Sequence, residues 1–414
     1  MKNLNRMLLL GVMALICREG SAEETIKLAF ISGLSGSMAM QAVEAFKDYQ
    51  AATDMVNSRG GVLDGRRFEM VAYDNKFNAQ DTLVAMRKAV DENIQFLFAG
   101  NTMSALAINE GLAKHNERNP AHRALLLDYN AQDPDLTESK CTFWHFRFTP
   151  HSDTSVSIIA DQIARQPDIR KVYLINQDYA FGQSVSRAAR EALKQRRPDI
   201  EIVGDDFHPI GKVKDFAPYI SKIIASGAQA VITGNWGNDL ILLIKGSNDA
   251  GSKAVFYALN GTVPGTVAGI GPAGLNRLRT LGSWQINAAD ATWRTRLLEY
   301  KAKYAAVSNL DFIQIYRSVE MLAQGINKAG TTDPAKVAYA LEGMKYSGPT
   351  GEIWMRADDH QVVAPLFLFS LAKAGQAPVQ YDEEGSGYVW KTDVFIDAKD
   401  TVPPVKCRMQ RPGE

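Results

Sequence analysis

The residues of this chain that could do chemistry sit in short loops that follow apolar runs. Three loops are rich in small hydrogen-bonding groups. They are Ser32 to Ser37, Gly100-Asn101-Thr102-Met103-Ser104, and Asp128-Tyr129-Asn130-Ala131-Gln132. Two of them run directly into stretches with helical spacing. Their backbone N–H groups therefore stand at helix N-termini, where an anion is favoured. Ser35, Gly36 and Ser37 in the first loop, and Asn101 to Ser104 in the second, add hydroxyl, amide and close backbone donors. Each hydrogen bond to a charged group contributes roughly 1.5–3 kcal/mol once water is excluded. The chemistry expected is recognition of a carboxylate without an arginine. A second set of strand-end loops carries Tyr179 and Phe181, then Trp236, then Asn260. These aromatic residues could close over an apolar body, although each taken singly is more often plain core packing.

Catalytic patterns are weak by comparison. Gly269-Ile270-Gly271-Pro272-Ala273-Gly274 has the spelling of a dinucleotide loop. It follows no strand, and no acidic residue sits on a second strand about twenty residues later. The six histidines (His115, His122, His145, His151, His208 and His360) lack metal-ligand spacing. There is no G-x-S-x-G elbow and no P-loop. Asp358-Asp359 reads as a turn, and Lys194-Gln195-Arg196-Arg197 as a solvated helix end. We expect no enzyme, no cofactor and no metal.

The elements that must position these loops follow from periodicity. Ile26 to Ser32 is a nearly continuous apolar run, as in a strand buried on both faces. Ala42, Ala45, Phe46, Tyr49, Ala52 and Val56 then recur at helical spacing. Gly60-Gly61 ends that helix, and Phe68 to Tyr73 is the next strand. Helices and apolar strands go on alternating to Leu127, and His145 to Pro150 reads as an extended run leading away from that sheet. A second alternating series starts near His151 and reaches Asn260. The fold class expected is α/β, with two doubly wound parallel-sheet lobes. In such sheets ligands bind outside the carboxyl ends of the strands, where the loops named above lie.

The opening stretch as a whole is more specific than its loop. A strand, a GxxSG loop and a long helix are followed by Asn57-x-x-Gly60-Gly61-Val62, Gly65-Arg66-x-Phe68-Glu69 and a Tyr73-Asp74 strand end. This order resembles the start of type I periplasmic solute-binding proteins, nearest to the leucine/isoleucine/valine-binding family of ABC importers. The likeness runs to about Ile286. It implies a hinge of three chain crossings, near Thr149-Pro150, Ile286-Asn287 and Ser347-Gly348-Pro349. Residues 23–148 with 287–346 would form one lobe, and 149–286 with 347–414 the other. Ser104 matches the serine by which the family holds a ligand carboxylate. Asn130 and Gln132 take the places of the next carboxylate-binding pair, around Ala131 and ahead of Pro134-Asp135-Leu136-Thr137. Phe181 stands where the family commonly has tyrosine, and Gln41 where it has an aromatic residue. Asn260 replaces the glutamate that pairs with an amino acid's ammonium group. Asp178 and Asp239, which lie at strand or helix ends, could substitute for it.

The function this implies is capture of a small amino acid or related carboxylate between two lobes and delivery to an ABC permease in the inner membrane, by a monomer. Two alternatives stand beside it. One is a ligand-sensing subunit of the same fold. The other is a binder of an aromatic or aliphatic acid that lacks an amino group.

Composition and the N-terminus agree with an exported protein. Among 414 residues, 46 basic and 46 acidic side chains balance, which argues against a nucleic-acid partner. Lys2 and Arg6, the apolar run Met7 to Ile16, and Gly20 and Ala22 form a signal peptide over residues 1–22. Periplasmic localisation follows. Cys17 raises lipidation as an alternative, but Ile16 precedes it where a small residue is preferred. Cys141 and Cys407 remain after cleavage. In an oxidising compartment they are expected to form a disulfide, with two buried free thiols as the alternative.

Overall fold

The computed structural model describes residues 25–36, 39–306 and 312–413. The expected signal peptide and Ser37 lie outside them. The apolar run Ile26–Ser32 is β1, and six of its seven residues are buried, so it must lie inside a sheet. It is followed by α1 (Ala39–Asn57), β2 (Phe68–Asp74), α2 (Ala79–Asp91), β3 (Phe96–Ala99), α3 (Thr102–Arg118), β4 (Leu125–Asp128) and β5 (His145–Arg147). The five strands form one parallel sheet in the order β2-β1-β3-β4-β5. The stretch from His145 does not leave the sheet as its sequence suggested. Its first three residues pair with β4, His145 opposite Leu126, and only then does the chain depart. Phe146 and Phe148 are fully buried in the first core, which favours pairing over an exposed arm.

The second series is α4 (Ser152–Ala164), β6 (Lys171–Gln177), α5 (Ala180–Arg196), β7 (Glu201–His208), α6 (Ala217–Ala225), β8 (Ala230–Thr233), α7 (Gly237–Asp249), β9 (Val255–Ala258), α8 (Thr266–Ile270) and β10 (Leu278–Gly282). The chain then returns to the first lobe through α9 (Ala291–Tyr304), α10 (Phe312–Ala329) and α11 (Pro334–Leu341). Apolar residues of α9, α10 and α11 share one core with β1, α1 and β3. The tail adds β11 (Lys345–Gly348), β12 (Gly351–Met355), β13 (Val362–Val363), β14 (Leu366–Lys373) and β15 (Tyr388–Ile396). The second large sheet runs β15-β14-β10-β9-β8-β6-β7, with β14 and β15 antiparallel at one side. This is an α/β protein of two lobes with mostly parallel sheets.

One expected boundary is corrected. The third passage between lobes does not lie near Ser347-Gly348-Pro349. Those residues belong to a small sheet, β11-β12-β13, whose Ile353, Met355 and Val362 are buried in the first lobe's core. Leu366 and Leu368 enter a core of the second lobe, so the chain passes over between Val363 and Leu366. Alternating apolar residues commit a strand to whichever core they face, and here that core is the first.

Cys141 and Cys407 are bonded to each other across 266 residues of chain, which ties the tail to the first lobe just before β5. Among the described residues, no helix is long and apolar enough to cross a membrane.

Candidate ligand-binding site

The carboxyl ends of the two parallel sheets face each other, and a cavity lies between them. About 570 Å³ of non-atom space, part of it open to solvent, is enclosed there. The first lobe contributes Ser32 and Gly33 after β1, Gln41 and Ala42 of α1, Phe77 after β2, Gly100 to Thr102 after β3, and Tyr129-Asn130 after β4. The second contributes Tyr179 and Phe181 after β6, Trp236 after β8, and Asn260 and Val263 after β9.

Three helices begin at this cavity, and their N-cap residues line it. Asn101 caps α3, and its side-chain oxygen accepts the Ser104 N–H at 2.9 Å. Tyr179 and Trp236 hold the same position on α5 and α7, but neither makes a side-chain cap bond. The first N–H groups of those two helices have no partner within their own helix. They point positive ends of two helix dipoles at the cavity.

The aromatic wall is fixed by its own contacts. Trp236 Nε1 donates to the Tyr179 hydroxyl at 2.9 Å. Burial holds the Tyr179 phenol well above its ordinary pKa, so it is neutral at physiological pH. Across the cleft, Phe77 and Trp236 meet with ring centroids 5.9 Å apart. Tyr129 stands edge-on to Tyr49 at 5.7 Å. Its ring leaves no room for a side chain at Gly100, where a Cβ would fall 2.0 Å from a ring carbon. The lobes also touch through amides: Gln132 Nε2 donates to Asn260 Oδ1 at 2.6 Å and to Asn130 Oδ1 at 3.3 Å.

Of the expected site residues, Asn101, Thr102, Asn130, Phe181, Trp236 and Asn260 line the cavity. Gln132 lies behind Asn130 as the bridge just described. Ser104 does not line the cavity. It is fully buried, and its Oγ accepts from Asn75 Nδ2 at 2.8 Å. Two residues along a helix turn the side chain by about 200°, so Thr102 and Ser104 point to nearly opposite sides. Met103 faces outward, into a groove between α2 and α3. Ala131 is buried, with its N–H on Asp128 Oδ1.

Beyond Gly33 the first loop turns away from the cleft. Ser35 and Gly36 are exposed. Although partial burial opposes it, hydrogen bonds from the Ser35 hydroxyl and from the Lys76, Leu34 and Ser35 N–H groups hold the Asp74 carboxyl below its usual pKa. The donors meant for a ligand are taken by this carboxylate, which the β1–β2 register places opposite Ser32.

Phe77 is a wall residue that sequence reasoning missed, as are Ala42 and Val263. The rule that ligands sit at strand ends covers the loop after β2 as well, and that loop was the signal. Its Lys76 and Phe77 adopt left-handed backbone, φ 50° and 53°, which swings the ring toward the cleft.

Among the described residues, no charged side chain lines the cavity. Asp178 is exposed and accepts from Gln183 Nε2 at 3.1 Å. Asp239 is buried elsewhere, accepting from Gln177 Nε2 and the Gly211 N–H, each at 2.8 Å. Neither takes the place that Asn260 leaves neutral.

The sequence profile of the periplasmic binding proteins matches residues 25–376. A Brucella melitensis protein named Leu/Ile/Val-binding protein homolog 4 is 28% identical over 97% of each chain. Among solved structures, the closed form of a leucine-, isoleucine-, valine-, threonine- and alanine-binding protein from Brucella ovis is similar with a TM-score of 0.84. It is 26% identical and covers 94% of this chain and 100% of its own. A solute-binding protein from R. palustris in complex with benzoate has the same fold, with a TM-score of 0.75 at 16% identity, covering 89% of this chain and 96% of its own.

Proposed function

The chain belongs to the periplasmic binding proteins of the branched-chain amino acid type, and from that premise we propose that it captures a small carboxylate with an apolar or aromatic body and no ammonium group. The observation that carries this reading is the cavity wall, which is aromatic and amide-rich, uncharged, and faced by three helix N-termini. Such a wall suits an anion, because backbone N–H groups and helix dipoles stabilise it. A buried ammonium group without a countercharge is costly. Phe77, Tyr129, Tyr179, Phe181 and Trp236 would hold a flat body, and Thr102 and Asn101 stand where a carboxylate meets α3. Benzoate in a protein of the same fold is consistent with such a ligand.

Because the cavity draws residues from both lobes, a bound ligand stabilises the closed arrangement. A closed, loaded protein is then the form presented to a permease. The reading is of a binding protein and not of an enzyme, and of a monomer delivering its solute from the periplasm.

A second reading is an amino acid. Gln41 Oε1, on the cavity wall, and Gln132 Oε1 are buried without a hydrogen-bond partner. These amide oxygens could accept from an ammonium group, and relatives are named for leucine, isoleucine and valine. Calorimetry of the mature protein with leucine and phenylalanine, each beside its deaminated acid, and with benzoate separates the two. Tighter binding of the acids is expected. Tight binding of leucine with no binding of its keto acid would overturn the proposal.

A further inference from the structure

A second, smaller cavity lies at the hinge and shares no wall residue with the ligand cavity. All three passages between the lobes contribute to it: His151 from the first, Ser283 from the second and Ala364 from the third, with Gln361 just ahead of that last passage. Thr401 of the tail and Arg317 of α10 complete its polar wall. The room inside is small, enough for one water molecule or one small ion.

Arg317 is the unusual member. It is 2% exposed, and among the described residues its one hydrogen bond runs from Nε to the Ile313 carbonyl of its own helix, at 3.2 Å. Its Nη2 is buried with no partner, and among the described residues no carboxylate pairs with it. Burial pushes its pKa down to about 10, so the guanidinium still carries its charge at neutral pH. Arg147, equally buried and close by in the hinge, is a useful contrast. Its donors reach Gln361 Oε1 at 2.7 Å, the Asp133 carbonyl at 2.6 Å and the Thr137 hydroxyl. The carboxylates of Asp128, Asp359 and Asp133 also act on it. A buried cation without such surroundings is costly unless a counterion joins it.

We propose that the hinge cavity is a binding site for a small monovalent inorganic anion of halide size, held by Arg317. A water molecule could satisfy one N–H but would leave the charge uncompensated. Phosphate and sulfate exceed the space. The neighbouring groups do not compete for the cation. Gln361 Oε1 is taken by Arg147, and its Nε2 donates to the Thr149 and Val362 carbonyls. Burial lowers the His151 pKa, which keeps that ring neutral, and its Nε2 is engaged with Glu138.

Thermal unfolding of the mature protein at constant ionic strength, with gluconate replaced stepwise by chloride, tests this. The wild-type midpoint should rise by a few degrees and saturate, with bromide acting like chloride, because an ion that binds only the folded state stabilises it. Arg317→Met should show no such rise. Equal wild-type midpoints in chloride and gluconate, or a chloride response retained in the variant, would refute the site. If the variant does not fold, wild-type crystals soaked in bromide decide. An anomalous peak in hydrogen-bonding reach of Arg317 Nη2 supports the site, and a hinge cavity without one refutes it.

Discussion

The two faces of the cleft are built on the same plan and recognise by different means. On the first lobe, loops after β1, β3 and β4 present small polar side chains, and α3 is capped by its own Asn101. On the second, loops after β6 and β8 present Tyr179, Phe181 and Trp236, and α5 and α7 start without a side-chain cap. The first face offers side-chain donors. The second offers an apolar wall whose backbone N–H groups are left open. The difference teaches that two lobes of one topology can line a cavity with side-chain polar groups on one face and with uncapped helix starts beside aromatic rings on the other.

Four substitutions break or sharpen that contrast. The largest effect is expected from Trp236→Ala. It removes the ring that packs on Phe77 across the cleft and binds Tyr179, and calorimetry should show about a hundredfold weaker binding of an aromatic acid. A loss below a few-fold would make Trp236 ordinary core packing.

Next comes Thr102→Ala on the polar face. Loss of one hydroxyl contact at the start of α3 should weaken the same ligand about tenfold, with thermal stability little changed. Unaltered affinity would move the carboxylate to the open N-termini of α5 and α7.

Asn260→Asp tests selectivity more than strength. The new carboxylate still accepts from Gln132 and adds the missing countercharge. Competition measurements should show leucine or phenylalanine gaining about tenfold against the deaminated acids. No change in this ratio would separate Asn260 from ligand choice.

The smallest effect on binding belongs to Ser104→Ala. Here the loss should appear in stability, about 1 kcal/mol in denaturant unfolding, because Asn75 Nδ2 loses an acceptor in a buried place. Affinity should stay as in the wild type, and a tenfold loss would return Ser104 to the site.

Much of the architecture was legible from local pattern. The apolar run Ile26 to Ser32, the helical spacing that follows it and the repetition of both announce parallel sheets, since a strand buried on two faces has few other homes. The rule that ligands gather at strand carboxyl ends then brought Asn101, Thr102, Asn130, Phe181, Trp236 and Asn260 to one place. The cysteine pair followed from the two thiols left once an N-terminal signal peptide is expected.

What tertiary structure alone decided is direction. Thr102 and Ser104 share a loop and a chemistry, but helix phase aims one at the cavity and the other at Asn75. Ser35 carries a suitable hydroxyl, but the β1–β2 register sets Asp74 beside it to take that donor. The alternating residues Ile353 and Met355 read as a strand of either lobe, and only the packed core shows which. Arg317 reads as an ordinary helical arginine until its surroundings prove empty of carboxylates. Spacing along the chain specifies which residues share an element. Which neighbour each side chain meets depends on how elements distant in sequence pack, and a local pattern holds no record of that.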